Sequence, residues 1–299
     1  MIQPVYLQKG DSVAIVSTAR KISSDKIIPA IKLLENWGLN VIIGETIGSE
    51  ENQFAASDEK RIADFQQMLD NPKVKAIWCA RGGYGTVRLI DKLDFSAFKK
   101  YPKWIVGYSD ITVLHSHIHN FGIETLHATM PINIENNSQQ TIETLKNSFF
   151  GKSLSYEIPA DEKNKTGNAS GELVGGNLSV LYSLLGSKSA IKTAEKILFI
   201  EDLDEYLYHI DRMCINLKRN GYFKNLKGLV VGGMTNMHDN EIPFGKTAEE
   251  IMLDSVSEYD FPVVFNFPAG HLDDNRALIL GRKIELNVSP EKTTLKFLT

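Results

Sequence analysis

SVAIVS at residues 12–17, NVIIG at 40–44 and VKAIWCA at 74–80 are short, apolar, β-branched runs, and the segments between them, 25–37 and 58–69, carry a helical period. That order predicts strand, helix, strand, helix, strand. Strands apolar along their whole length and joined by helices imply a parallel sheet covered on both faces, an α/β fold. Further along, WIVGYSD (104–110) leads into the helical run ITVLHSHIHNF, and IETLHA (123–128) follows. The second half mixes styles: a helix-like segment at 177–185, the apolar run ILFIE (197–201), a helix over 208–220 and GLVVGGM (228–234). It closes with RALILGRKIELNV and TTLKFLT, whose alternation predicts antiparallel strands. Between residues 158 and 171, PADEKNKTGNAS is polar, rich in turn formers and without periodicity, as an interdomain linker would be. The expected division is an N-terminal domain over 1–157, a linker at 158–170 and a C-terminal domain over 171–299.

The 299 residues suffice for two ordinary domains, and 42% hydrophobic content can fill their cores. Thirty-seven acidic and 33 basic residues are mixed along the chain, giving a formal charge of -4 with no basic block. Nucleic acid and anionic membrane are therefore not expected partners. The two cysteines, Cys79 in an apolar run and Cys214 in a helical pattern, suit buried thiols in a reducing compartment rather than a disulfide framework. The first twenty residues lack the charged, apolar and small-residue order of a signal peptide, and no stretch approaches a membrane span. These features point to a soluble, unexported, cytoplasmic protein.

Ser109 stands where the apolar strand 104–106 meets a helix beginning near Ile111, with Gly107 two residues before it. A serine on a tight strand-to-helix turn is exposed at the carboxyl end of a sheet, and the following amide can point at a developing oxyanion. The pattern also fits a plain helix cap at Ser109 or Asp110, and Ile111 stands where a G-x-S-x-G elbow has its second glycine. A second turn, ARGGYG (80–85), likewise follows a strand; glycines there let backbone amides approach a phosphate or oxyanion, or simply allow tight packing. It lacks the lysine of a P-loop and the third glycine of a dinucleotide fingerprint, so no nucleotide cofactor is implied. Glu201 and Asp202 end the apolar run 197–200, where open α/β sheets place ligand-facing groups, and either could instead cap a helix or face solvent. His271 lies in the Gly-, Pro- and Asx-rich loop FPAGHLDDN (267–275), where a scaffold can present an imidazole. His115, His117 and His119 recur at i, i+2, i+4 on a helix, so the middle one faces away from the others; no metal site is expected from them.

Five runs, ARGGYGTVRLID, VGYSDITVLH, GELVGGNLSVL, ILFIEDLDEYLYHIDRM and FPAGHLDDNRALILG, occur in this order across nearly the whole chain. Together they resemble the LD-carboxypeptidase family of serine peptidases, whose relatives include the microcin C immunity peptidases. The resemblance implies a flavodoxin-like N-terminal domain joined to a smaller β-rich α/β C-terminal domain, with the site between them. It implies Ser109 as nucleophile, Glu201 as acid and His271 as base. The oxyanion donors it implies are the Asp110 amide and one from the turn at Gly82 and Gly83. The implied substrate is a murein tetrapeptide losing its terminal D-alanine in cell-wall recycling, without any cofactor, in a homodimer. Two other activities fit: a microcin-immunity-type peptidase acting on peptidyl or aminoacyl nucleotides, and a non-catalytic protein whose glycine turns cradle a small anion.

Overall fold

The computed structural model describes residues 1–298. From the N-terminus come β1 (Ser12–Val16), α1 (Ile28–Asn36), β2 (Asn40–Ile43), α2 (Asp58–Asp70), β3 (Val74–Cys79), α3 (Ser96–Lys100), β4 (Trp104–Gly107), α4 (Thr112–His119), β5 (Thr125–His127) and α5 (Gln139–Phe149). The apolar runs form the strands because fully buried β-branched side chains pack on both faces of a parallel sheet. The helices start where their caps fall: the Ser57 side chain accepts from the Lys60 amide ahead of α2, and that of Ser138 from the Thr141 amide ahead of α5. Strand β4 holds the expected 104–106 and one residue more. Gly107, at φ +154°, and Ser109, at φ +63°, turn the chain out of the sheet.

The remaining elements are β6 (Ser155–Pro159), β7 (Gly167–Asn177), α6 (Leu178–Ser183), β8 (Ile197–Leu203), α7 (Leu207–Arg219), β9 (Gly228–Thr235), α8 (Ala248–Val256), β10 (Val263–Val264), β11 (Leu278–Leu280), β12 (Lys283–Val288) and β13 (Lys292–Phe297). They build a seven-stranded sheet in the order β10-β9-β8-β7-β12-β13-β6, parallel from β10 to β7 and antiparallel beyond. In β12 the alternation is complete: Ile284, Leu286 and Val288 are buried and the residues between them exposed.

Two features of this topology are not visible in local pattern. The polar segment 158–170 is divided among the end of β6, a turn and the start of β7, and both strands belong to the second sheet. The first half of β7 has small and polar side chains, so it reads as a loop, yet its backbone pairs with β12 from Gly167 to Glu172. Conversely, β11 lies late in the chain but pairs antiparallel with β5, completing the first sheet in the order β11-β5-β4-β3-β1-β2. One apolar core accordingly runs through both layers, from Trp78 and Trp104 to Phe199, Phe267 and Leu295. Tyr108, just past β4, thereby packs against His271, and His127 at the end of β5 against Phe199 of β8.

Candidate active site

Ser109 follows β4 in the left-handed region, where a non-glycine residue costs about 1–3 kcal/mol unless its surroundings hold it. Two contacts do so. An added Cβ at Gly107 would lie 2.8 Å from Ile111, so only glycine lets the turn close onto the following helix. The Asp110 carboxylate accepts the Thr86 amide at 2.9 Å, tying the serine turn to the end of ARGGYG. Asp110 is buried, and burial raises its pKa above the ordinary aspartate value.

The two glycines of that turn face different neighbours. A Cβ at Gly82 would sit 3.0 Å from Ser109 Oγ and 3.4 Å from the Asp110 amide, whereas one at Gly83 would meet Arg20 Cδ at 2.6 Å. Among the described residues, the Gly82 and Asp110 amides donate to no backbone carbonyl, which leaves both free beside the serine hydroxyl. The turn itself rests on Arg61, a fully buried guanidinium that donates to the carbonyls of Thr18, Gly85 and Ala56 and pairs with Asp58. Arg61 was not anticipated from sequence, although a signal existed: it shares the apolar face of α2 with Phe65 and Met68.

Opposite this half, β8 delivers Glu201 and Asp202. Adjacent residues of a strand point to opposite faces, so the two acids are turned to different duties. Asp202 accepts from Asn177 Nδ2 and from the amides of Ser179 and Leu203, which places it at the start of α6. Burial first, and the charge of Glu201 second, push its pKa up to about 7. Glu201, wholly buried, meets His271 instead: Nδ1 lies 2.6 Å from Oε2. Gly270 permits this approach, because a Cβ there would stand 2.7 Å from Oε2, and its amide is held by Asn275 Oδ1 at 2.9 Å. The Tyr108 ring packs edge-on against the imidazole, 4.8 Å between centroids. Burial opposes protonation of His271, but the carboxylate outweighs it, and the pKa rises above the ordinary imidazole value. With Nδ1 donating to Glu201, Nε2 is the nitrogen left for a proton from another group. Gly82 and the Asp110 amide thus lie beside Ser109 on one side, Glu201 and His271 pair on the other, and Tyr108, the residue before Ser109, packs on that imidazole; Gly83 faces Arg20 instead.

The helical histidines diverge as their spacing requires. His115 bonds Thr125 Oγ1 and the Gly107 carbonyl, His117 bonds Ser189, and His119 contacts Lys196. Among the described residues no group of three His, Cys, Asp or Glu side chains is arranged to hold a metal ion, and no helix is long and apolar enough to cross a membrane. Cys79 and Cys214 are buried free thiols.

Residues 13–128 match the LD-carboxypeptidase N-terminal domain, and residues 170–286 match the LD-carboxypeptidase C-terminal domain. The chain belongs to the LD-carboxypeptidase family. This family member is 36% identical over 299 residues to a probable murein peptide carboxypeptidase of Bacillus subtilis (strain 168), covering 98% of this chain and 93% of that protein. It superposes with a TM-score of 0.87 on the muramoyltetrapeptide carboxypeptidase of Oxalobacter formigenes, at 28% identity, covering 96% and 99% of the two chains. An MccF-like protein from Bacillus anthracis str. Ames covers all of both chains at 25% identity, with a TM-score of 0.86. The α/β architecture expected of an LD-carboxypeptidase, two domains built on parallel-rich sheets, is the one observed.

Proposed function

We propose that this LD-carboxypeptidase is a serine-type enzyme that hydrolyses the bond before the terminal D-alanine of murein tetrapeptides. The observation that supports the mechanism is the 2.6 Å Glu201–His271 pair, with Tyr108, the residue before Ser109, packed on the imidazole. In the proposed mechanism His271 Nε2 takes the Ser109 proton as Oγ attacks the carbonyl carbon, and Glu201 orients the ring and balances the imidazolium. The Asp110 amide and one from Gly82 or Gly83 receive the oxyanion. Gly82 is favoured because it is the glycine lying against Ser109. The imidazolium then protonates the leaving amine of D-alanine, and a water activated by the same nitrogen releases the acyl group. No step calls for a cofactor or metal.

The substrate class follows from likeness to the B. subtilis and O. formigenes proteins, whose names specify murein peptides. Recycled muropeptides are processed inside the cell, which agrees with two free, buried thiols. A homodimer of this chain in the cytoplasm is our reading of the assembly and compartment. The full-length likeness to the MccF-like protein favours a second activity, cleavage of aminoacyl or peptidyl nucleotides by the same three residues.

Offering the purified enzyme a murein tetrapeptide, its L-alanine epimer and an aminoacyl sulfamoyl adenosine, with products followed by mass spectrometry, separates the two. Release of alanine from the first alone is expected, because inverting the terminal centre displaces the reacting carbon, and a shift of about 1 Å can cost on the order of a hundredfold. Preferential cleavage of the nucleotide would transfer the assignment to the second activity, and cleavage of none would remove both.

A further inference from the structure

Five cationic side chains surround the turns that meet at Ser109, and three of them have an acid. Arg61 and Arg88 share Asp58, the latter at 2.7 Å, and Lys21 pairs with Glu50 at 2.7 Å. Arg20 and Arg81 have no carboxylate within ion-pair distance among the described residues. They are also the two next to the glycines. Arg81 immediately precedes Gly82, and the Arg20 side chain lies over Gly83, its Nε 2.9 Å from where a Cβ would be. Arg81 is fixed by one bond, Nη1 to the Lys21 carbonyl at 3.0 Å, while its Nε is sealed from water without an acceptor. Its Nη2 donates to no protein group and is not sealed from water, so it is the donor of Arg81 open to an anion. Burial and the nearby charge of Arg20 both depress the Arg81 pKa, the mark of two guanidiniums brought together without an anion between them.

We propose that Arg81 and Arg20 form the subsite for the free carboxylate of the substrate's C-terminal residue. The inference rests on the carboxypeptidase reading above. The distances suit it. Gly82 abuts Ser109 and the next residue abuts the Arg20 side chain, so the two contacts fall on consecutive residues whose Cα atoms are ~3.8 Å apart. In a C-terminal amino acid the carboxylate carbon is two bonds, about 2.5 Å, from the scissile nitrogen. A guanidinium fork also matches a carboxylate in two parallel hydrogen bonds, which a lone ammonium cannot do. The subsite makes the enzyme an exopeptidase: a continuing chain would present a neutral amide to two charges.

The test compares the tetrapeptide as free acid and as terminal amide, in wild type, Arg20→Gln, Arg81→Gln and Arg81→Lys. Wild type should favour the acid in kcat/KM by on the order of a hundredfold, since the amide leaves charged donors unpaired. In Arg81→Gln that ratio should fall towards one through loss with the acid, with the amide rate held within a few-fold, and Arg81→Lys should recover part of it. Arg20→Gln, at an exposed position, should lower the ratio with an unchanged melting temperature. An acid preference equal to wild type in both glutamine variants overturns the subsite. Binding of N-acetyl-D-alanine and its amide to the Ser109→Ala protein, followed by NMR, reads the same preference without turnover. If the acid binds better there and Arg81→Gln abolishes the difference, the subsite stands even where the tetrapeptide is not a substrate. Equal binding of acid and amide overturns it.

Discussion

Ser109 and His271 each carry an expectation that follows from how the fold holds them. Because Ser109 occupies the left-handed region at φ +63°, its replacement by glycine removes steric strain together with the hydroxyl. Ser109→Gly and Ser109→Ala should both abolish turnover, and the glycine variant should be the more stable by about 1 kcal/mol in chemical denaturation. An alanine variant retaining activity within about tenfold of wild type would remove Ser109 from the mechanism. The pH dependence is set by His271, which must be neutral at Nε2 to accept a proton. Glu201 raises its pKa, so the rate should climb with pH through a value above the ordinary 6.5. Glu201→Gln removes the charge and keeps the burial, which lowers the pKa. The acid limb of the rate profile should then move below 6.5 while kcat falls by roughly a hundredfold or more, less than in His271→Ala. An acid limb unmoved by the substitution would separate Glu201 from the imidazole.

At the scale of the element, the end of β8 shows how one strand assigns different work to consecutive acids. Residue-level reading leaves Glu201 and Asp202 equivalent, since both end the same apolar run. The pleat of the strand sends Glu201 to His271 and Asp202 to the start of α6. Asp202 has a folded pKa of about 7, above the model-compound 3.8, so the native state binds its proton more tightly than the unfolded chain does. Its contribution to stability is then fully present below pH 4 and is lost as pH rises towards 7. Asp202→Asn should flatten the decline in unfolding free energy that wild type shows across that interval, and leave turnover within about tenfold. A wild-type stability that does not fall between pH 4 and 7 would contradict the burial argument. The neighbouring end of β7 explains the glycine of GELVGGNLSVL that precedes Asn177: a Cβ at Gly176 would stand 2.4 Å from Thr112 Oγ1, where β7 crosses the first turn of α4.

Over the whole molecule, β11 is the decisive connection. It comes from the far end of the chain, closes the edge of the first sheet against β5, and leads directly into β12 of the second. Arg282, just after it, is paired with Glu124 beside β5, a buried contact across the same seam. Two sheets stitched in this way, with one apolar core between them, should unfold together. All three tryptophans, Trp37, Trp78 and Trp104, lie in the first half, so their fluorescence reports that half while far-UV circular dichroism reports both. The two denaturation curves are expected to coincide. A fluorescence transition displaced from the circular-dichroism transition would mean that the halves are independent.

Sequence alone determined the alternation of strands and helices in the first half, the antiparallel close, and the family, because buried runs, periodicity and five ordered motifs are properties of neighbours in the chain. It also marked Ser109, Glu201 and His271 as the residues to bring together. Only the tertiary structure decided that Gly82 rather than Gly83 abuts Ser109, that Asp202 joins the start of α6, and that Arg61 underpins the glycine turn. It also made a paired strand of a polar stretch that reads as linker, and carried β11 into the other sheet. Each of these depends on a contact between residues far apart in sequence, and such contacts are chosen by which backbones can approach and which buried polar groups find partners, quantities that no local pattern encodes.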